Sequence, residues 1–452
     1  MNMNETHTVA DRLRSFGESD AFVIDDKTWT YADVTCLIDE WRDYLDVNGI
    51  GAGQVVVLQG TSSPQAIAAL LALVERGAIV VPLTALPAAK RDEFHDVAQA
   101  EVVITVDDVE GHHRMARTGR HAMHVLYARL RHISAPGLVL FSSGTSGRSK
   151  ASVLDFTKVL NRYGVAKRPS RTLAFMNIDH IGGINTVLHT VSQGGALITV
   201  GERTPEAVFA ATAKHKVEVL PTTPTFLNMV LISGAYARHD ASSLQLITYG
   251  TEPMPLQTLQ RLKTALPHVR YKQTYGLSEL GILPTKSKTD DSLWIKLGGP
   301  GFEYKILDDI LWIRSEMAML GYLNAPAPFD EEGFFNTQDV VETEGEWVRI
   351  KGRRSELINV AGEKVYPSEV ESVLLELPNV AEATVSGRPS HVTGMVVKAT
   401  LKLVRPEDTR TLTRRVRQHC RLHLEPFKVP ALVEVSAEPH HSERFKKLRT
   451  AA

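Results

Sequence analysis

Short apolar runs alternate with amphipathic helical stretches along most of this chain. Residues 55–59, Val-Val-Val-Leu-Gln, make an apolar run of strand length. An Ala/Leu-rich stretch with helical spacing follows at 64–76, and a second apolar run at 78–83. A strand that is apolar continuously, rather than at every second position, is one buried on both faces. This β-α-β unit therefore predicts a parallel sheet covered by helices. The unit recurs at 173–176, 183–192 and 196–200, and again at 217–220, 225–233 and 244–249. Beyond about residue 300 the pattern changes: residues 304–307 and 310–314 flank Asp308-Asp309 and predict an antiparallel hairpin. A strand at 348–351 runs into the polar cluster Gly352-Arg353-Arg354-Ser355. The remainder reads β-α-β-β-α, with a helix at 367–377, strands at 382–386 and 394–403, and a basic helix at 408–424. The expected fold class is α/β. A large N-terminal domain (residues 1–352) has mixed or parallel sheets flanked by helices, and a small α+β C-terminal domain (residues 353–452) follows.

Composition narrows this little but usefully. A chain of 452 residues, 43% hydrophobic and 23% charged, is of ordinary globular composition and too long for one core. With 51 basic against 52 acidic residues, nothing favours a nucleic-acid or membrane-surface partner. Cys36 and Cys420 lack metal-ligand spacing, and they are too few for a disulfide scaffold, so a reducing, cytoplasmic setting is expected. No apolar run has the length of a transmembrane span, and the first residues lack the features of a signal peptide. The pairs His112-His113 and His440-His441 have no acidic or Cys partners at ligand spacing, which argues against a metal there. Oligomeric state is not legible.

The candidate chemistry begins at 139–150, where three apolar residues run into Ser142, Ser143, Gly144, Thr145, Ser146, Gly147, Arg148, Ser149 and Lys150. Glycines let successive backbone N–H groups converge on a ligand, hydroxyls add donors, and the cations add charge-assisted bonds, so the loop suits a phosphate. It does not fit Gly-x-x-x-x-Gly-Lys-Ser/Thr. A polar surface loop after a strand is the plain alternative.

The loop is one of an ordered series. Downstream come Asp179-His180-Ile181-Gly182-Gly183, Tyr249-Gly250-Thr251-Glu252-Pro253, Tyr275-Gly276-Leu277-Ser278-Glu279, Asn336-Thr337-Gln338-Asp339 and Gly352-Arg353-Arg354-Ser355. The series ends with the run from Ile358 to Glu371, which contains Gly362-Glu363-Lys364. In this order, and with Thr28-Trp29-Thr30-Tyr31 before them, the segments resemble the adenylate-forming superfamily of acyl-CoA synthetases, non-ribosomal adenylation domains and luciferases. In motif style they are nearest the fatty-acid-type acyl-CoA ligases.

The resemblance implies an AMP-forming acid–thiol ligase. ATP and a carboxylic acid, fatty or otherwise apolar, would give an acyl-adenylate and pyrophosphate, and the acyl group would then pass to coenzyme A. It implies that Ser142–Gly147 and Lys150 hold the leaving phosphates. Glu279, with Ser278 in place of the usual Thr, would ligate Mg²⁺. Tyr275 would stack on adenine beside Gly276, while Gly250, Thr251 and Glu252 line the purine edge. Asp339 would accept the ribose hydroxyls, with Gln338 where the family has Gly, and Arg353 would reach ribose or the α-phosphate. His180 would orient the acid, Ser355 would be the hinge of a rotating C-terminal domain, and Gly362, Glu363 and Lys364 would border the pantetheine tunnel. Asp179 departs from the apolar or aromatic residue usual there and has no assigned role.

The family's terminal Gly-Lys is not reproduced. Glu443 and Arg444 occupy that place and Lys446 follows two residues later, so either Arg444 or Lys446 is expected to supply the catalytic cation. The acid pocket is expected to draw on 180–190, 222–229, 249–252 and 275–282, with Gly182, Gly183 and Gly281 leaving room and Ile184, Ile282 and Leu283 lining it. Three readings stay beside the leading one. They are an enzyme loading an acyl or peptidyl carrier protein, an o-succinylbenzoate-CoA ligase, and a degenerate, non-catalytic nucleotide- or acyl-binding protein.

Overall fold

The computed structural model describes residues 9–107, 111–142, 149–391, 393–438, 440–442 and 445–449. Among these, two seven-stranded sheets form the body of the N-terminal part. At the centre of the first, Ile79–Leu83, Val55–Gln59 and Val102–Val106 lie side by side in parallel. Gly137–Ser142 extends the parallel run, and Lys150–Asp155 returns antiparallel to it. In the second, Arg270–Gln273, Leu246–Tyr249, Val219–Thr222, Arg171–Leu173, Ala196–Thr199 and Asp20–Ile24 are parallel neighbours.

The apolar runs explain this layering. Val56 and Leu58 point into a core that also holds side chains of the helices Tyr31–Val47, Pro64–Glu75 and Ile181–Val191. Val55 and Val57 face the opposite side of the same sheet, against Phe94, Tyr127 and Leu130. Strands with both faces covered need apolar residues at every position, as observed. Helices Pro205–His215, Pro224–Ser233 and Leu256–Ala265 cover the outer face of the second sheet. The strand expected at 173–176 ends early, at Leu173, because Ala174 to His180 form the approach to the helix at Ile181.

A six-stranded antiparallel sheet follows. Its hairpin Phe302–Leu307/Ile310–Ser315 turns at Asp308 and Asp309, with φ of 51° and 61°. Two central-turn residues at positive φ are what a two-residue hairpin of matching twist requires. The last strand of this sheet, Trp347–Arg353, ends at Arg353, and Ile358–Val360 opens a separate five-stranded sheet that carries the helices Pro367–Leu374 and Thr409–His423. Among the described residues no helix is long and apolar enough to cross a membrane.

Candidate functional site

The most deeply buried part of the site is built by strand register. Phe335–Glu344 pairs antiparallel with Trp347–Arg353, and this sets Asp339 opposite Arg353. Gln338 adopts φ of 61°, and Asn336 Oδ1 accepts its backbone N–H at 3.0 Å and its side-chain N–H at 2.6 Å. Gln338 thus takes the left-handed backbone a glycine would take freely, and the carboxylate after it keeps its aim. Thr337 Oγ1 accepts the Asp339 N–H at 3.0 Å. Arg353 Nε lies 3.3 Å from Asp339 Oδ1, and the Tyr275 hydroxyl donates to Oδ2.

Asp339 is 6% exposed and Tyr275 8%. Burial raises the Asp339 pKa, against the pull of Arg353 and of the Tyr275 hydrogen bond. Burial and the adjacent carboxylate hold the Tyr275 phenol well above its ordinary value, as a donor. Burial alone would lower the Arg353 pKa, but Asp339, Tyr275, Glu279 and Glu356 raise it.

A second group gathers at the end of the first sheet. Tyr322, paired across the strands with Ser152, donates its hydroxyl to Glu279 Oε1 at 2.7 Å, and Lys150 Nζ stands 5.3 Å from the Tyr322 ring centroid. Ser142 lies directly across the ladder from Lys150. Asn324 closes the base of the intervening loop, donating to the Ser149 carbonyl at 2.8 Å and accepting from the Ala151 N–H at 3.1 Å. Ser143, Gly144, Thr145, Ser146 and Gly147 lie outside the described residues. Tyr322 carried no signal in the sequence, because its role comes from a two-residue strand, Gly321–Tyr322, seated on a distant one.

Gly250 lets its loop lie against the next strand end, since a Cβ there would meet Thr274 Oγ1 at 2.6 Å and Thr274 O at 2.8 Å. Thr251 follows with φ of 73°. Glu252 has a further job: its two carboxylate oxygens accept the Thr225 N–H at 2.7 Å and the Lys447 N–H at 3.1 Å. Gly276 and Ser278 belong to the Tyr275–Leu277/Gly281–Leu283 hairpin and its turn.

His180 occupies the N-cap position of Ile181–Val191 without a side-chain capping bond, its Nε2 3.9 Å from Asp179 Oδ1. Asp179 is buried and accepts from Thr84 Oγ1 at 3.5 Å.

The expected room at the glycines is absent. Added Cβ atoms on Gly182 and Gly281 would strike Met176 and Met317, and one on Gly183 would run into the Asn177 carbonyl. Ile184 and Leu283 are core residues, at 0% and 3% exposure. Gly183 is required for close packing against backbone, whereas Gly182 and Gly281 meet the tips of flexible Met side chains. Gly183→Ala is accordingly expected to cost about 3 kcal/mol, because backbone cannot yield as a flexible side chain does; urea unfolding of the variant checks this.

Near its C-terminal end the chain packs back onto the N-terminal part. Residues 440–442 and 445–448 form a tight hairpin, with His441 bridged to Lys447 and Ser442 N–H donating to Lys446 O at 2.9 Å. Phe445 sits at its turn with φ of 52° and wedges between Phe175 and Phe226 of the N-terminal part, at centroid distances of 5.2 and 5.4 Å. Its carbonyl accepts from Thr223 Oγ1 at 2.8 Å.

This seats Lys446 within electrostatic reach of Asp339, Arg353, Glu252 and Glu356. The Lys446 side chain is exposed, and desolvation by the protein around it, then Arg353, lower its pKa against the three carboxylates. Arg444 lies outside the described residues. Behind the hairpin, buried Glu371 accepts from Lys447 Nζ at 2.9 Å and from Arg449 at 2.8 and 3.0 Å. The spacing Lys446-Lys447-Leu448-Arg449, with Glu371 ending Pro-Ser-Glu-Val-Glu, is the sequence signal for this anchor.

Ser355 is exposed in the short turn Arg354–Glu356 between the last two sheets. Gly362, Glu363 and Lys364 lie at and beside the exposed tip of the Ile358–Val360/Glu363–Val365 hairpin. Among the described residues, no hydrogen bond or ion pair links that tip to the Asp339 cluster.

Comparison with known proteins identifies the family. The profile of a family described as AMP-binding enzyme matches residues 9–323, and that of the AMP-binding enzyme C-terminal domain matches 369–444. A relative from Mycobacterium tuberculosis, a 3-[(3aS,4S,7aS)-7a-methyl-1,5-dioxo-octahydro-1H-inden-4-yl]propanoyl:CoA ligase, is 27% identical over 95% of both chains. The fatty acid–[acyl-carrier-protein] ligase MmaC of Mycobacterium marinum is 25% identical over 93% of this chain and 91% of its own. The crystal structure of the anthranilate CoA ligase AuaEII with anthranoyl-AMP superposes with a TM-score of 0.82 at 20% identity, covering 98% of this chain and 95% of that one. That last likeness is one of fold.

Proposed function

Because this chain belongs to the AMP-binding enzyme family, within the adenylate-forming superfamily, we propose that it is an AMP-forming acid–thiol ligase that passes an activated acyl group to coenzyme A. The observation that carries this reading is the buried Asp339–Arg353–Tyr275 cluster, set by strand register, with Lys446 on a C-terminal hairpin inside its electrostatic field. Adenylation joins a carboxylate to the α-phosphate, so two anions must meet while negative charge builds on the pyrophosphate leaving group. Fixed cations and oriented donors answer that demand better than a nucleophilic side chain.

In this reading Asp339 accepts the ribose hydroxyls and Arg353, fork-shaped and always charged, bridges ribose and α-phosphate. Lys446, a compact point charge on a flexible stem, lies between the attacking carboxylate and the α-phosphate. It takes precedence over Arg444, because Phe445 supplies the left-handed turn that the family's glycine would supply before its lysine. Lys150 and the 142–150 loop neutralise the leaving phosphates. The donor set suits Mg²⁺, a hard cation ordinarily held by one or two carboxylates together with substrate phosphates. Glu279, oriented by Tyr322, would hold it, and the ion would neutralise phosphate charge when bound.

His180 and Asp179 face the acid. Gly183 packs against backbone and Gly182 and Gly281 against Met side chains, so the glycines do not single out a long aliphatic chain, and aliphatic and aryl acids are compared on equal terms. Acid-dependent ATP–pyrophosphate exchange over such a panel tests the reading, followed by coenzyme A against a phosphopantetheinyl carrier protein as acceptor. Exchange with at least one acid, and thioester formation with coenzyme A, is the expected outcome. ATP binding without exchange for any acid would indicate the non-catalytic alternative, and transfer only to the carrier would indicate the loading enzyme.

A further inference from the structure

The C-terminal domain carries a side-chain cluster that adenylation does not use. His419 and His423 lie one helical turn apart near the end of Thr409–His423, with ring centroids 4.5 Å apart. Residues four apart on a helix share a face, so both rings look outward from the same spot. Glu376, just past the helix Pro367–Leu374, approaches that spot from the neighbouring element, with Oε2 at 3.1 Å from His419 Nε2. One ligand atom from each of the three lies within 4.8 Å of the other two.

We propose that Glu376, His419 and His423 bind a divalent transition-metal ion of the Zn²⁺ class. Two imidazoles and one carboxylate are a donor set that Zn²⁺ accepts in tetrahedral geometry, with water in the fourth position. Ligands about 2 Å from a tetrahedral ion stand roughly 3.3 Å from one another. The Glu376–His419 separation already meets that, and the exposed His423 ring closes the remainder by side-chain rotation. The position favours a cation further, because the C-terminal end of a helix carries the negative end of its dipole. Arg421, also in the last turn, projects from the opposite side of the helix.

The ion would tie the end of Pro367–Leu374 to the end of Thr409–His423, and the first of these helices bears Glu371, the anchor of the Lys446 hairpin. The site is independent of the proposed reaction and is tested without it. Zn²⁺ is titrated into the full, untagged chain by calorimetry, beside the double variant His419→Ala/His423→Ala and the single variant Glu376→Gln. The expected result is one equivalent of Zn²⁺ bound by the wild-type chain and absent from the double variant. Glu376→Gln should weaken binding at least tenfold. A Zn²⁺-dependent rise in melting temperature should appear in the wild type only, since an ion that binds the folded state raises its stability. All three side chains are at or near the surface, so the metal-free variants should melt where the metal-free wild type does, which separates lost binding from lost folding. Equal stoichiometry and affinity in the wild type and the double variant would overturn the assignment, as would no uptake by the wild type.

Discussion

Lys446→Met should lower acid-dependent ATP–pyrophosphate exchange by about 10²- to 10³-fold, the usual cost of removing one preorganised group that stabilises developing charge. Met keeps the length and the apolar stem, so Phe445 stays wedged between Phe175 and Phe226 and the hairpin stays docked. What disappears is the ammonium charge felt by Asp339 and Arg353. ATP affinity should change by only a few-fold, because Asp339, Arg353 and Tyr275 remain. The companion variant Arg444→Met should exchange at close to the wild-type rate. A large loss in Arg444→Met with little in Lys446→Met would move the catalytic cation to Arg444.

Glu371→Ala should be the most damaging substitution to stability outside the cores, by about 3–5 kcal/mol, because it leaves buried cations without their counter-charge. Glu371 is 2% exposed and accepts hydrogen bonds from Lys447, Arg449 and the Val385 N–H. Burial alone would raise its pKa, but Arg449 and Lys447 hold it at about 2. A carboxyl depressed in the folded state stabilises the fold above its unfolded value and loses that contribution as pH falls through the folded one. The window is therefore from 4.5 down to about 2, and the amount at stake is about 3 kcal/mol. Urea unfolding across that range should show a fall in stability for the wild type and a flatter profile for Glu371→Gln. The same variants should lose exchange activity beyond what their stability explains, since the hairpin carrying Lys446 hangs on this pair. Full exchange activity in folded Glu371→Gln would separate the anchor from catalysis.

Local pattern carried the fold well, and it carried the site unevenly. The runs at 55–59 and 79–83 read as buried parallel strands because both faces are covered, and the Asp308-Asp309 turn read as a hairpin because its chemistry is local. Asp339 and Arg353 were found as separate motifs, and only strand register shows that they face one another. Tyr322 escaped notice because it reaches Glu279 through a sheet pairing that spans much of the chain. Gly182, Gly183 and Gly281 misled, since a glycine that leaves room and one that admits a neighbour look alike until the neighbour is placed. At the C-terminus residue type alone leaves both Arg444 and Lys446 as candidates for the Gly-Lys cation. A bulky Phe445 at φ of 52° does what glycine usually does, and only its wedge between two other Phe rings explains how that backbone is held.

The central claim is that this protein activates a carboxylate by attack on the α-phosphate of ATP. It is tested most directly with the best acid from the exchange panel, labelled with ¹⁸O in both carboxyl oxygens, and mass spectrometry of the nucleotide after transfer to coenzyme A. Adenylation leaves one carboxyl oxygen on the α-phosphorus, so the account predicts AMP carrying a single ¹⁸O and unlabelled pyrophosphate. Formation of ADP with the label in inorganic phosphate, or unlabelled AMP, would contradict it.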